Sequence, residues 1–129
     1  MPLLQIEELS PAEAKKEEGN AAFKSGRYEE AVRCYSEAFQ LDASLSVVLN
    51  NRAMALLKLQ RFAEAAEDCR AVLRSEPGNV KAKFRLGCAL EGIGSDQEAL
   101  QAFEEAASMD PKNTEARDRA NRLKKALDL

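Results

Sequence analysis

A chain of 129 residues, 45% hydrophobic and 32% charged, has the makeup of one globular domain or a short repeat array rather than of a disordered segment. Its net charge of -3 offers no global attraction to nucleic acid or anionic lipid, so any basic surface has to be local. Histidine is absent, which removes the commonest general base, triad partner and metal ligand together.

The opening MPLLQIEELS has no basic stretch and reaches Glu7 and Glu8 too early for a secretory leader, so residues 1–11 read as a lead-in. Ser10-Pro11-Ala12-Glu13 then predicts a helix start: a serine cap, proline in the first turn and glutamate placed as in a capping box. From Ala12 the chain repeats every 34 residues, in windows Ala12–Leu45, Ser46–Asn79 and Val80–Asn113 that align without a gap. The eighth place holds Gly19, Ala53 and Gly87, and the twentieth holds Ala31, Ala65 and Ala99. Tyr35, Cys69 and Phe103 share the twenty-fourth. Small residues at fixed places let two helices approach closely, and larger ones interlock with the next pair, so each window reads as a helical hairpin.

Breaks fall near Gly26, Gln60 and Gly94 within the windows and near Ala43, Pro77 and Pro111 between them. The spacing predicts helices over 12–25, 28–41, 46–59, 62–75, 80–93, 96–109 and 114–127, an all-α array of three hairpins with residues 114–129 as a closing helix. In that last helix Ala116, Ala120, Leu123 and Leu127 form one face, with Arg117, Arg119, Arg122, Lys124 and Lys125 elsewhere, as suits a cap with a wet outer side.

No catalytic, cofactor or metal site emerges. The adjacent carboxylates Glu29-Glu30 and Glu104-Glu105 point about 100 degrees apart on a helix and read as solvated faces. Gly92-Ile93-Gly94 lacks the later glycine and lysine of a phosphate loop and reads as a helix end. Cys34, Cys69 and Cys88 have no CxxC or zinc spacing, which points to free, packed thiols in a reducing compartment. The longest apolar run, Ala53 to Leu57, is far short of the roughly 20 residues of a membrane span, and a cytoplasmic location follows.

The 34-residue pattern of small, aromatic and proline places, matched over residues 12–113, resembles the tetratricopeptide repeat (TPR) family. Three departures stand out: no tryptophan at the fourth place, Ala43 for a boundary proline, and Asp96 where Tyr28 and Phe62 supply an aromatic. The resemblance implies a right-handed superhelix in which the first helix of each hairpin lines a concave surface. That surface would present Glu13, Lys16, Glu17, Asn20, Phe23 and Lys24, then Val47, Asn50, Asn51, Met54, Leu57 and Lys58, then Lys81, Phe84, Arg85, Cys88, Glu91 and Gly92.

Five of these, Lys16 and Asn20 in KEEGN, Asn51 in NNR, and Lys81 and Arg85 in KAKFR, resemble the carboxylate clamp of co-chaperones. In that subfamily the five places hold the C-terminal aspartate of cytosolic heat-shock protein 90 and heat-shock protein 70, whose tails end Glu-Glu-Val-Asp. The residue types suit the task, because a terminal aspartate presents two carboxylates to cations and amide donors. Lys16 with Asn20, and Lys81 with Arg85, are i,i+4 pairs that share a helical face. Phe23, Lys24, Met54, Leu57, Lys58 and Phe84 are candidate contacts for the upstream part of such a tail. For the apolar ones, packing between repeats is the competing reading. Arg52 is open between a loop anchor and an inner ion pair.

The expected function is therefore a non-catalytic adaptor for the C-terminal tail of a heat-shock chaperone, with no cofactor. The alternative is a structural scaffold that assembles through its convex face or around an internal peptide. Nucleic-acid binding by the basic closing helix is a third reading, weakened by Asp118 and by the lack of an aromatic to stack a base.

Overall fold

Local signals set the helix ends. The computed structural model describes residues 8–129 and contains, among them, seven helices: α1 (Pro11–Lys24), α2 (Tyr28–Leu41), α3 (Ser46–Lys58), α4 (Phe62–Ser75), α5 (Val80–Ile93), α6 (Asp96–Met109) and α7 (Thr114–Ala126). Of the lead-in expected over 1–11, residues 1–7 lie outside the described residues.

α1 opens as its sequence predicts, with Ser10 Oγ accepting the Glu13 N–H at 3.1 Å. The reciprocal arm differs: the Glu13 carboxylate accepts the Ser10 hydroxyl at 3.2 Å instead of a backbone N–H. Asn79 and Asn113 cap α5 and α7 in the same manner, accepting the N–H groups of Ala82 and Ala116. Three helices stop one residue earlier than the pattern predicts. Ser25, Leu59 and Leu127 have ψ near 0° and act as caps rather than as helical residues.

Each hairpin turns on one left-handed residue, Gly26 (φ 76°), Gln60 (φ 60°) or Gly94 (φ 94°). The residue that follows closes the same six-residue loop each time, Arg27, Arg61 and Ser95 donating to the carbonyls of Ala22, Leu56 and Leu90 at 2.9, 2.8 and 2.9 Å. Gln60 adopts without glycine what its counterparts adopt with it.

Each helix packs against the next in sequence, and α3 also touches both α1 and α5, so the first helices of the hairpins lie side by side along one face. The core behind them is built from small residues: Ala31, Ala65 and Ala99 are each fully buried, with Tyr35, Leu56, Cys69, Val72 and Phe103 filling between. Glycine and aromatic places are complementary. A Cβ at Gly19 would stand 2.6 Å from the Tyr35 ring and one at Gly87 would stand 2.7 Å from the Phe103 ring. The middle hairpin has Ala53 at the glycine place and the smaller Cys69 at the aromatic place, both fully buried. All three cysteines are free, and burial pushes the Cys69 thiol up to about 12.

Candidate functional site

The concave face is built by α1, α3 and α5, and two asparagines meet near its middle. Asn51 of α3 donates its Nδ2 to Asn20 Oδ1 of α1 at 3.3 Å, and that oxygen also accepts the Tyr35 hydroxyl at 2.6 Å. Both lone-pair directions of the Asn20 carbonyl are thereby used, and its amide nitrogen faces outward with no acceptor among the described residues. Burial of the Tyr35 ring raises its pKa to about 12, which keeps the hydroxyl a proton donor throughout the physiological range.

Arg85 on α5 is held from below. Its Nη1 donates to the side-chain and backbone oxygens of Asn50 at 2.6 and 3.3 Å, and its Nη2 lies 3.0 Å from Met54 Sδ. Asn50 is itself buried and fixed by donating to Asn79 Oδ1 at 3.3 Å, the oxygen that caps α5. Burial lowers the Arg85 pKa from its ordinary value, the sign of a cation partly stripped of water. Among the described residues neither Arg85 nor Lys81, one turn earlier and exposed, pairs with a carboxylate. Lys16 lies half-buried one turn before Asn20, with the neighbouring Glu17 3.7 Å away.

Met54 forms a wall common to two open cavities. The smaller, about 190 Å³, contains Asn20, Asn51, Phe23, Lys24 and the carboxylate of Glu17. The larger, about 450 Å³, runs toward the C-terminal ends of α3 and α5, past Leu57, Lys58 and Cys88. Phe23 also packs edge-on to Tyr28 with centroids 5.2 Å apart. Phe84 lines neither cavity: it packs on Phe103 at 5.5 Å, beneath the Arg119 guanidinium. Arg52 takes the inner ion-pair role, gripping Asp68 through Nε and Nη2 at 2.8 and 2.6 Å and Ser36 through Nη1 at 3.1 Å. It thereby ties α2, α3 and α4 behind the groove.

Among the described residues no group of three or more Cys, Asp or Glu could hold a metal, and no helix is long and apolar enough to cross a membrane. What α1, α3 and α5 offer is amide N–H groups and cations on neighbouring helices, although Lys16, Lys81 and Arg85 line neither cavity.

Two family profiles cover most of this region, one described as "Tetratricopeptide repeat" over residues 50–114 and one described as "TPR repeat" over residues 19–60. The chain belongs to the tetratricopeptide repeat family. The mitochondrial import receptor subunit TOM70 of Rattus norvegicus is 40% identical over 103 residues, which is 76% of this chain and 17% of the receptor. The TPR array here thus spans less than a fifth of that relative's length.

Among solved structures, the first TPR of Spaghetti (RPAP3) bound to the HSP90 peptide SRMEEVD superimposes with a TM-score of 0.88 at 33% identity. The match covers 92% of this chain and 94% of that one. The second TPR domain of human RPAP3, in complex with the HSP70 peptide SGPTIEEVD, matches with a TM-score of 0.81 at 35% identity over 85% and 92% of the two chains.

Within this TPR array, three residues take roles that differ from the sequence expectation: Tyr35 as more than packing, Asn50 buried rather than presented on the concave surface, and Arg119 lining a cavity rather than the outer side. Tyr35 was readable as an aromatic packing place, yet its polar tip signals a partner that Asn20 supplies. Asn50 stands beside Asn51 in a concave register, but its burial under Arg85 depends on contact across 35 positions. Arg119 comes from α7, outside the three repeats.

Proposed function

We propose that this TPR array is a non-catalytic adaptor that captures the free C-terminal Glu-Glu-Val-Asp tail of heat-shock protein 90, heat-shock protein 70 or both. Lys16, Asn20, Asn51, Lys81 and Arg85 form a two-carboxylate clamp in this reading. The observation that carries it is Arg85: a partly desolvated guanidinium with no carboxylate partner among the described residues, fixed by Asn50 and set against Met54, which shares a cavity with Asn20 and Asn51. The TPR domains of RPAP3 solved with HSP90 and HSP70 peptides support the same ligand class, and these chaperones make a cytosolic location the consistent one.

The terminal aspartate would give one carboxylate to Lys16 and the two asparagines and the other to Lys81 and Arg85. Phe23, Lys24, Met54, Leu57 and Lys58 flank the path of the upstream residues. A few charge-assisted contacts, less the ordering of a flexible tail, correspond to a dissociation constant on the order of micromolar, or about 8 kcal/mol. Affinity should fall as salt rises, because the contacts are partly exposed.

Charge reversal at two positions tests the assignment. Lys81→Glu should abolish detectable binding of a free-acid Glu-Glu-Val-Asp peptide, since loss of a charge-assisted partner costs about 2 to 5 kcal/mol. Arg74→Glu, at the exposed end of α4, should change it by less than about 1 kcal/mol. A folded Lys81→Glu protein that binds like the parent returns the scaffold reading to first place.

A further inference from the structure

The closing helix does more than cover the core. Arg119 of α7 reaches into the larger cavity, where Met54, Leu57, Phe62 and Cys88 give an apolar floor and Lys58 and Glu91 stand beside it. Its guanidinium lies over the rings of Phe84 and Phe103, 5.6 and 5.7 Å from their centroids, which fixes its plane. Its own polar contacts are weak: Cys88 Sγ at 3.3 Å, Glu91 at 3.5 Å and Glu115 at 3.7 Å. Its Nε is buried without a hydrogen-bond partner among the described residues. The buried Nε cannot reach a ligand, but the Nη edge, held over two rings and with only long carboxylate contacts, is poorly matched to its neighbours and suited to an incoming anion.

Spacing along α5 says which part of a ligand would meet it. Cys88 and Glu91 follow Arg85 by three and six residues, about 5 and 9 Å at 1.5 Å per residue. An extended peptide covers that distance in about one and a half to three residues.

Resting on the clamp reading above, we infer that Arg119 is a specificity-determining residue of the binding site. It would accept an acidic side chain two or three positions before the ligand's terminal residue, with that side chain's methylenes on the apolar floor. The site would then extend beyond the three repeats into α7, and Glu91 would act as an internal competitor for the same guanidinium. The ligand favoured is an acidic tail rather than an apolar one.

A mutant cycle between protein and peptide tests this. The parent, Arg119→Gln and Glu91→Gln proteins are titrated calorimetrically with a free-acid peptide ending Glu-Glu-Val-Asp, with its Gln-Gln-Val-Asp analogue, and with the C-terminal amide of the first. Arg119→Gln should weaken the glutamate peptide about five- to tenfold and the glutamine peptide less than about twofold. Glu91→Gln, which leaves Arg119 and its aromatic bed in place, should tighten the glutamate peptide by about twofold or more and leave the glutamine peptide unchanged. Should Arg119→Gln loosen α7, the Glu91→Gln comparison decides alone. Equal effects on both peptides, or none, with the amide still rejected, overturn the role of Arg119 and leave the clamp standing. A parent protein indifferent to the amide overturns both.

Discussion

Tyr35 keeps its ring in the core and its hydroxyl at the groove, so one residue couples packing to the orientation of Asn20. Tyr35→Phe retains the ring and removes only that hydrogen bond. The expected result is an unchanged helical spectrum, a stability loss of about 1 kcal/mol and a several-fold weaker tail affinity, as Asn20 is then held only by the longer bond from Asn51. Calorimetry beside a denaturant melt separates the two effects, and loss of stability alone would give Tyr35 a purely structural role.

Asp68 presents the opposite case. It is buried against Arg52 on the far side of α3 from the groove and touches no candidate ligand position. Asp68→Asn strands the Arg52 guanidinium, and about 3 kcal/mol of destabilisation in a urea melt is expected. The affinity of the protein that remains folded should stay within about twofold. What the sequence revealed at this scale was residue type and register. Lys16, Asn20, Asn51, Lys81 and Arg85 were picked out by their resemblance to the clamp of co-chaperones, and helical period added only that Lys16 with Asn20 and Lys81 with Arg85 share a face. The props beneath them could not be found in either way, because Tyr35 meets Asn20 across 15 positions, Asn50 meets Arg85 across 35, and Arg119 meets Cys88 across 31. Such contacts depend on how hairpins stack, which no local pattern encodes.

At the scale of the helix pair, close approach is set by what faces the eighth place. Gly19 and Gly87 lie against aromatic rings, and the middle repeat has Ala53 and Cys69 at the corresponding places. Gly87→Ala would drive a methyl to 2.7 Å from Phe103, so the ring or the α5–α6 spacing has to yield. A loss of about 1 to 3 kcal/mol in a thermal or urea melt is expected, despite the better helix propensity of alanine. A neutral or stabilising outcome would mean that the hairpins are looser than their geometry implies. Element boundaries were the most legible part of the sequence, since caps and turns are local chemistry: Ser10, Asn79 and Asn113 cap as their types predict. Gln60 shows the limit. Nothing in its side chain announces a left-handed backbone, and only its alignment with Gly26 and Gly94 in the 34-residue period reveals the turn.

Over the whole molecule, a chain with a net charge of -3 gathers cations with few carboxylate partners on one concave face. Glu17 and Glu91 also line the trough, but many of the other acids are paired on the outside, as Glu37 with Lys15, Glu64 with Arg61 and Glu104 with Lys124. That segregation favours an acidic chain end over nucleic acid or a lipid surface, because both of those need a broad positive field. The basic α7 follows the same rule: Arg119 turns inward, Lys124 pairs with Glu104 at 3.0 Å, and Arg117 donates to the Pro111 carbonyl at 2.9 Å. At the centre of the proposed function, the trough recognises two carboxylates on one terminal residue. Isothermal titration of one Glu-Glu-Val-Asp peptide as free acid and as C-terminal amide tests it most directly. The account predicts on the order of micromolar binding for the acid and at least a tenfold weaker constant for the amide, since one of the two clamped charges is lost. Equal affinity for the two forms would contradict it.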